Sequence, residues 1–383
     1  MNSTVSLYFD SHKLTDNVRR IKALCRQQGV ALAAVVKAGC GWADIARAAL
    51  DGDCDMLADS RLDNLERLAH AGIRVPTMLL RMPAPSQADA VVCLCDISLN
   101  SEYDAIRALH EAARRLGRKH RVLLMVELGD RREGIAAQQL PQLIERIKAL
   151  PMIEVAGIGT NLGCLGGIRT TPEKLTELVE LARASERQLG YPLQYVSGGN
   201  SGTLPLLLEG RLPAGINHIR VGFSMLLGRN PFTDEPLPGL HTDVFELEAE
   251  LIEVQTKPSL PDGEIVLDAF GHVPVFEDLG EQVRGILSLG RLDTDLTTLK
   301  AVDPGVSIIG ASSDHLVLDL TRIRNACAVG DKVHFAPGYG ALVQAMLSPY
   351  VRKQPDLSAD WRREREGLLR GHALNTHEFF DRR

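Results

Sequence analysis

Lys37 stands where a lysine is disfavoured. It is embedded in AAVVKAGCG (33–41), an apolar run of β-formers in which Ala33, Ala34, Val35, Val36 and Ala38 surround one ammonium. Such a run reads as a strand buried on both faces, the pattern of a parallel sheet. A buried ammonium must be paired, lose its proton or be used covalently. The last use is Schiff-base chemistry, for which a desolvated lysine with a lowered pKa is the reagent. The competing reading is a strand-end lysine that snorkels into solvent. Further along, SGGNSG (197–202) presents glycines, the Asn200 amide, the Ser201 hydroxyl and Gly202 just before a helix start. Backbone N–H groups arranged in that way bind anions such as phosphate, although a tight turn with a helix cap has the same composition. Arg220, inside the apolar HIRVG, needs a partner, either a structural carboxylate or a ligand ring that it faces as a fixed cation. Arg132, in the mixed-charge ELGDRREG, taken alone reads as a solvated loop arginine.

The elements that must position these residues form a repeating pattern. After a helix over 12–28, stopped by Gly29, short apolar runs recur at 33–38, 53–58, 77–80, 91–98, 122–128, 153–160, 193–198 and 218–222. Helical segments fall between most of them, at 43–50, from a Ser60 cap through Leu68, and at 102–116, 137–150, 172–189 and 202–208. Eight β/α units in strict alternation predict a TIM (β/α)8 barrel over residues 1–233, with an open doubly wound sheet as the alternative. In such barrels chemistry collects at the C-terminal strand ends. Lys37 ends the first predicted strand and Asn161 follows the sixth. SGGNSG follows the seventh, while Arg220, Gly222 and Phe223 lie on and after the eighth. A Pro/Gly-rich linker after Gly228 leads into β-like runs with turn punctuation, including EIVLDAF (264–270), which predict a mostly antiparallel β domain over 234–353. Residues 354–383 read as a charged extension with no assigned chemistry.

Composition narrows the function. The 383 residues are 45% hydrophobic and 24% charged, ordinary for a globular protein, and the net charge of -6 without a basic run argues against nucleic acid. No stretch has the length or apolarity of a membrane span or signal peptide, so a cytoplasmic location is expected. Seven scattered cysteines fit reduced, mostly buried thiols, and Cys93-x-Cys95 lacks metal spacing, so no metal site is expected.

A strand-end lysine, an anion cradle after the last two strands and an arginine on the eighth converge on one cofactor. Pyridoxal phosphate has an aldehyde for Lys37, a phosphate for the cradle and a ring nitrogen for Arg220. No dinucleotide fingerprint or phosphate-loop lysine motif competes with it. Taken together, VVKA, MLADSR, VELGDRREGI, GTNLG, SGGNSG and HIRVGFSMLLG resemble the alanine-racemase-like fold-type III family of pyridoxal phosphate enzymes. PGLHTDVFELEAELIEV, GEIVLDAFG, PVFED, GASSDHLVLDL and YGALVQAMLSPYV are similar to its ornithine racemase branch, and the match runs from about Ser6 to Lys353.

The resemblance implies a pyridoxal-phosphate-binding barrel plus a β domain, joined head to tail in a homodimer with shared active sites. It implies racemisation of a small amino acid, ornithine or another basic one, by two-base transfer of the Cα proton. It assigns Lys37 as the Schiff-base lysine and one catalytic base, Arg220 to the pyridine nitrogen and Arg132 to the phenolate oxygen. Ser201, Gly222 and Phe223 match phosphate-binding positions, and Asn200 and Gly202 of SGGNSG join them as expected cofactor contacts. In SSDH (312–315), Ser313, Asp314 and His315 match the positions that meet the substrate from the partner subunit, and Asp314 and His315 are also proton carriers by chemistry. Three departures follow. Gly41 replaces a phosphate-touching tyrosine, Asn161 replaces a histidine stacked on the ring, and GEIVLDAFG offers Asp268 and Phe270 where the family has its second-base tyrosine. For a terminal substrate ammonium, Asp130, Glu133, Asp268 and Asp278 are the available carboxylates. Two alternatives remain: a lyase resembling D-threonine aldolase or D-serine dehydratase, which needs a divalent metal, and a non-catalytic pyridoxal phosphate carrier resembling the barrel alone.

Overall fold

The structure, a computed structural model, describes residues 4–323 and 325–355. From residue 356 onward the expected C-terminal extension lies outside the described residues. The chain divides into two compact units, one spanning His12–Val244 and the other running from Phe245 and including the first strand, β1 (Val5–Phe9). The division therefore falls eleven residues later than the expected boundary at 233, and the N-terminal strand joins the second unit.

The first unit is a closed parallel barrel. Its strands are β2 (Ala31–Val35), β3 (Met56–Asp59), β4 (Thr77–Leu79), β5 (Ile97–Asn100), β6 (His120–Glu127), β8 (Ile153–Gly159), β9 (Tyr195–Ser197) and β10 (His218–Val221). The order β5-β4-β3-β2-β10-β9-β8-β6 is closed by a further β5–β6 pairing, and a two-residue β7 (Ile135–Ala136) adds to β6 outside the ring. The closed ring replaces the open-sheet alternative. Helices α1 (Ser11–Gln27), α2 (Ala43–Asp51), α3 (Leu62–His70), α4 (Ala88–Leu94), α5 (Tyr103–Arg115), α6 (Leu140–Lys148), α7 (Pro172–Leu189) and the short α8 (Leu204–Leu208) and α9 (Phe223–Leu227) supply the connections. Inward side chains such as Val35, Met56, Met78, Leu99 and Leu123 fill the interior, while a second, larger cluster packs strands against helices. This is the two-layer logic of the fold: each strand is apolar on both faces because both are covered.

Two local expectations change. VVCLCDIS is not one strand, because Ala88, Val91 and Val92 are buried at helical spacing in α4 and the strand starts only at Ile97. Ser60 does not cap α3. The Asp59 carboxylate instead accepts from Arg61 N (2.9 Å) and from the Asn64 side-chain amide (3.0 Å).

In the second unit, β11 (Phe245–Pro258) pairs antiparallel with β1, β12 (Glu281–Leu287) and β16 (Lys332–Pro337). The sheet order is β13-β16-β11-β12-β15-β14, with β13 (Leu299–Ala301), β14 (Ser307–Ala311) and β15 (Leu316–Asp319). Pairing is antiparallel apart from β1 with β17 (Arg352–Pro355). A helix, α10 (Tyr339–Leu347), lies where the sequence suggested few, and EIVLDAF is irregular chain rather than a strand. The irregular segment begins and ends where Ser259 N donates to Gly280 O at 2.8 Å, so β11 and β12 are a hairpin with a long loop.

Strand β8 shows how sequence fits the barrel. Gly157 faces Tyr195 and Gly159 faces Ser197 on β9. A Cβ on Gly157 would collide with the Tyr195 carbonyl oxygen and lie 2.8 Å from the Tyr195 Cβ. The obstacle is backbone and cannot swing aside, so Gly157→Ala should lower unfolding stability by about 1–3 kcal/mol, read as a shift of the urea midpoint.

Candidate active site at the C-terminal end of the barrel

The lysine leaves the barrel just past a strand end. β2 stops at Val35, and Lys37–Gly39 form a single 3₁₀ turn closed by Cys40 in the left-handed region at φ 50°. Ala38 and Gly39 are buried beneath it, and a Cβ on Gly39 would press into Ile45 at 2.8 Å. The Lys37 side chain projects from this turn and is reached by solvent, yet the protein around its ammonium lowers its pKa. Burial is the larger cause, with the Arg132 guanidinium acting in the same direction, while Cys164, Asp59 and Glu133 oppose them. The ammonium therefore gives up its proton more readily than an ordinary lysine, the property that amine nucleophiles and bases need.

Arg220 is sealed in the barrel wall. β10 pairs with β2 with Arg220 opposite Ala33, so barrel closure puts the first and last strands side by side. The guanidinium is buried, donates through Nη2 to Thr160 O at 2.8 Å and donates through Nη1 to Ser197 Oγ. Burial lowers its pKa to about 10, with Arg132 adding to the effect and Cys164 and Glu133 working against it. That value still keeps it protonated at neutral pH, and both of these acceptors are uncharged. It is a fixed cation held by neutral oxygens.

Two loops meet beside it. Ser201 Oγ accepts from Gly222 N and Ser224 N, both at 3.2 Å, which ties the turn after β9 to the turn after β10. Asn200 Oδ1 accepts from Gly202 N at 2.8 Å, and Asn200 Nδ2 donates to Leu162 O at 2.7 Å and Asn161 Oδ1 at 3.1 Å. The glycines are sterically required. A Cβ on Gly202 would strike the Phe232 ring at 2.6 Å, and one on Gly222 would sit 3.0 Å from Val35 Cβ. Phe223 opens α9 directly after Gly222. Amide N–H groups, a serine hydroxyl and bare glycine backbone suit a phosphate, an amine with a lowered pKa suits an aldehyde, and a fixed guanidinium suits a ring nitrogen. The residues present fit pyridoxal phosphate.

Arg132 belongs to the same electrostatic field as Lys37 and Arg220. It pairs with Glu133, which raises its pKa. Asp130 is withdrawn from the carboxylates available to a substrate ammonium. It is buried, and its oxygens accept from Cys164 N (3.2 Å), Leu165 N (3.0 Å) and Gly166 N (3.2 Å). Burial alone would raise its pKa, but these N–H groups together hold it below the usual carboxylate range. The loop it shapes carries a residue that the sequence reading passed over. Cys164 Sγ accepts from Asn161 Nδ2 at 3.0 Å and lies within electrostatic reach of Lys37, Arg132 and Arg220. Only its place in NLGC, three residues after Asn161, could have drawn attention to it. Gly41 sits at φ 78°, and a Cβ there would meet Asn64 Cα at 3.1 Å, so this backbone has no room for the family's tyrosine.

The other site residues lie in the second unit. Ser313, Asp314 and His315 form the tip between β14 and β15, with Ser313 Oγ donating to Asp314 Oδ2 at 2.7 Å and Ser312 N donating to His315 O at 2.9 Å. Gly290 lets the tip approach, since a Cβ there would collide with the Ser313 carbonyl oxygen. Asp314 and His315 line a cleft of about 300 Å³ with Ile252, Ser288, Asp293 and Tyr350. Asp268 lies apart from this cleft's lining. Its carboxylate closes its own turn, accepting from Phe270 N (2.8 Å) and His272 N (2.9 Å). Asp278 likewise accepts from Gly280 N at 3.1 Å. No group of three or more metal-binding side chains occurs among the described residues.

Comparison with known proteins places this architecture. The sequence profile of the alanine racemase N-terminal domain matches residues 9–231. The chain is 42% identical over 346 residues to an ornithine racemase of Acetoanaerobium sticklandii, covering 90% of this chain and 98% of that one. It is 35% identical over 347 residues to a lysine racemase of Thermotoga maritima, covering 91% and 97%. Among solved structures, the alanine racemase of Streptomyces lavendulae superposes with a TM-score of 0.72 at 19% identity, covering 94% of this chain and 99% of that one. An alanine racemase of Bartonella henselae with covalently bound pyridoxal phosphate superposes at 0.71 and 17% identity, covering 93% and 100%. These likenesses share a (β/α)8 barrel followed by a β domain, and the relative similar along nearly its whole length settles the lineage: the chain belongs to the alanine racemase family.

Proposed function

We propose that this chain is a pyridoxal-phosphate-dependent amino-acid racemase that interconverts the enantiomers of ornithine or a related basic amino acid. The observation that carries the reading is Lys37, an amine with a lowered pKa just past the end of β2, the strand that pairs with β10, which carries the buried cation Arg220 and runs into the glycine cradle. The names of the two relatives similar along most of the chain support the basic side chain. Bound pyridoxal phosphate supplies an electron-withdrawing system that acidifies the substrate Cα–H. The chain's own residues do the rest. Gly202, Gly222, Phe223, Asn200 and Ser201 would hold the phosphate, and Asn161 would contact the cofactor beside them. Arg220 presents donors that cannot give up a proton at working pH, which would keep the ring nitrogen unprotonated and disfavour side reactions such as transamination. Arg132 would compensate negative charge on the cofactor's phenolate oxygen. Lys37 Nζ, once neutral, takes the Cα proton from one face.

Inversion needs a second base on the opposite face. We assign that role to Asp314 or His315 of a second copy of the chain, with Ser313 beside them at the substrate, in a head-to-tail homodimer. Asp268, whose Oδ1 closes its own turn, keeps Oδ2 for a substrate ammonium. A run of exposed apolar side chains on the loop between β11 and β12, with Val266, Leu267, Val273, Val275 and Leu279 open to solvent, supports an interface on the second unit. Seven free cysteines suit a reducing, cytoplasmic setting.

Incubating the holoenzyme with L-ornithine or L-lysine in D2O should exchange the Cα–H and yield the D-enantiomer, whereas Lys37→Ala should abolish both. Exchange without inversion would remove the racemase reading, and loss of activity on adding a chelator would favour a metal-dependent lyase. With Lys37 as base, kcat should fall toward acid on a limb lying below the ordinary lysine pKa of about 10.4, because only the neutral amine accepts a proton. Val275→Asp together with Leu279→Glu should shift the sedimentation of the protein from dimer to monomer.

A further inference from the structure

The inside of the barrel is not uniformly apolar. Beside the interior cluster that includes Val35, Met56 and Leu123, four side chains from β9 and β10 form a polar column. The Tyr195 ring lies 5.0 Å from the His218 ring, His218 Nδ1 is 2.7 Å from Ser197 Oγ, and Ser197 Oγ receives Arg220 Nη1. Ser197 and His218 have no exposed surface. His218 Nε2 is buried without a hydrogen-bond partner, an uncompensated polar atom that an apolar residue at 218 would avoid. Opposite β9, Gly157 and Gly159 leave the space that Tyr195 and Ser197 occupy.

Counting protons fixes the direction of the chain. Arg220 has only donors, so Ser197 Oγ accepts from it. His218 Nδ1 is the acceptor within reach of the Ser197 hydroxyl proton, so a fully paired hydroxyl leaves Nδ1 unprotonated and the ring proton on Nε2. A histidinium would reverse this bond and set two cations side by side. Burial, and next the neighbouring Arg220, push the His218 pKa down to about 3, so the neutral ring prevails over the working pH range.

We propose that Ser197 and His218 are positioning residues for Arg220: the neutral His218 ring orients the Ser197 hydroxyl so that its oxygen and the Thr160 carbonyl clamp both Nη atoms, and the remaining donors of the guanidinium serve the ring nitrogen of pyridoxal phosphate. The inference rests on the pyridoxal phosphate reading above. It accounts for a buried histidine that touches no reacting atom. It also accounts for a cation whose partners are neutral, since a carboxylate at this place would neutralise the charge that the ring nitrogen meets.

The test uses the full-length protein with Ser197→Ala, His218→Leu and His218→Asn. Three quantities are read: the dissociation constant of pyridoxal phosphate from the protein, the visible absorbance maximum of the bound cofactor, and kcat against KM with ornithine. Ser197→Ala and His218→Leu should weaken cofactor binding about tenfold, shift the maximum and lower kcat roughly ten- to a hundredfold, the scale of one lost hydrogen bond to a charged group, with KM within about twofold. His218→Asn, whose amide oxygen can take the Ser197 proton, should recover most of the loss. Wild-type affinity, absorbance and kcat in Ser197→Ala, or a His218→Asn variant no better than His218→Leu, would overturn the proposal and leave the column a packing feature. Should His218→Leu fail to fold, Ser197→Ala decides alone, since it removes a single oxygen. A wild-type protein that binds no pyridoxal phosphate would overturn the function and this inference together, whereas a cofactor-binding wild type with unaltered variants would overturn only the inference.

Discussion

A guanidinium enclosed in a β-barrel has to be surrounded by acceptors or the barrel will not close over it. Stripping a buried charge of its partner costs about 3–5 kcal/mol, a large part of a domain's net stability. Arg220 meets this demand with the Thr160 carbonyl and the Ser197 hydroxyl, each from a different neighbouring segment. Three successive chain regions are thereby held in one arrangement: the end of β8, the end of β9, and β10 itself. The turns that follow β9 and β10 are joined again by Ser201 Oγ. The anion cradle is thus built on an arginine that cannot move.

The same closure sets the chemistry of Lys37. Strand β2 pairs with β10 because the barrel returns to its beginning, so Lys37 and Arg220, far apart in the chain, come under the influence of the same neighbours, Arg132 and Glu133. Burial disfavours the ammonium of Lys37, and the Arg132 guanidinium disfavours it further. The two arginines differ in how their charge is kept. Arg132 is paired to Glu133 near solvent, while Arg220 is buried and hydrogen-bonded to two uncharged oxygens. An arginine partnered by dipoles keeps its full charge for whatever it faces, whereas one partnered by a carboxylate shares it.

The second unit follows a different logic. Its antiparallel sheet buries one face and carries its site candidates on turns, where glycine permits close approach, as at Gly290 beneath Ser313. Asp268 shows the limit of reading a carboxylate from its position in a motif. The same oxygens that recognise an ammonium also close a turn, and here one of them, Asp268 Oδ1, accepts two backbone N–H groups. Asp130 is a second case, since its carboxylate organises the loop that carries Cys164.

The chain's alternation of apolar runs and helical segments was enough to determine the barrel, because eight strands covered on both faces and joined by helices have few ways to hide their surface. Lys37, Arg220 and SGGNSG were also legible, since a charge in an apolar run and glycines before a helix are anomalies visible in one dimension. The split of VVCLCDIS into helix and strand was not, because a short apolar run has no period of its own until its neighbours choose a face. Nor was the irregular course of EIVLDAF, whose β-formers lack a partner strand. Cys164, the turn-closing roles of the Asp130 and Asp268 carboxylates, and the contact of His218 with Ser197 depended on residues 21 to 36 positions apart, or on turns whose shape the sequence does not spell out. The sequence alone determined which residues were chemically out of place, and the tertiary structure decided which of them meet, because hydrogen bonds and desolvation act over a few ångströms of space rather than along the chain.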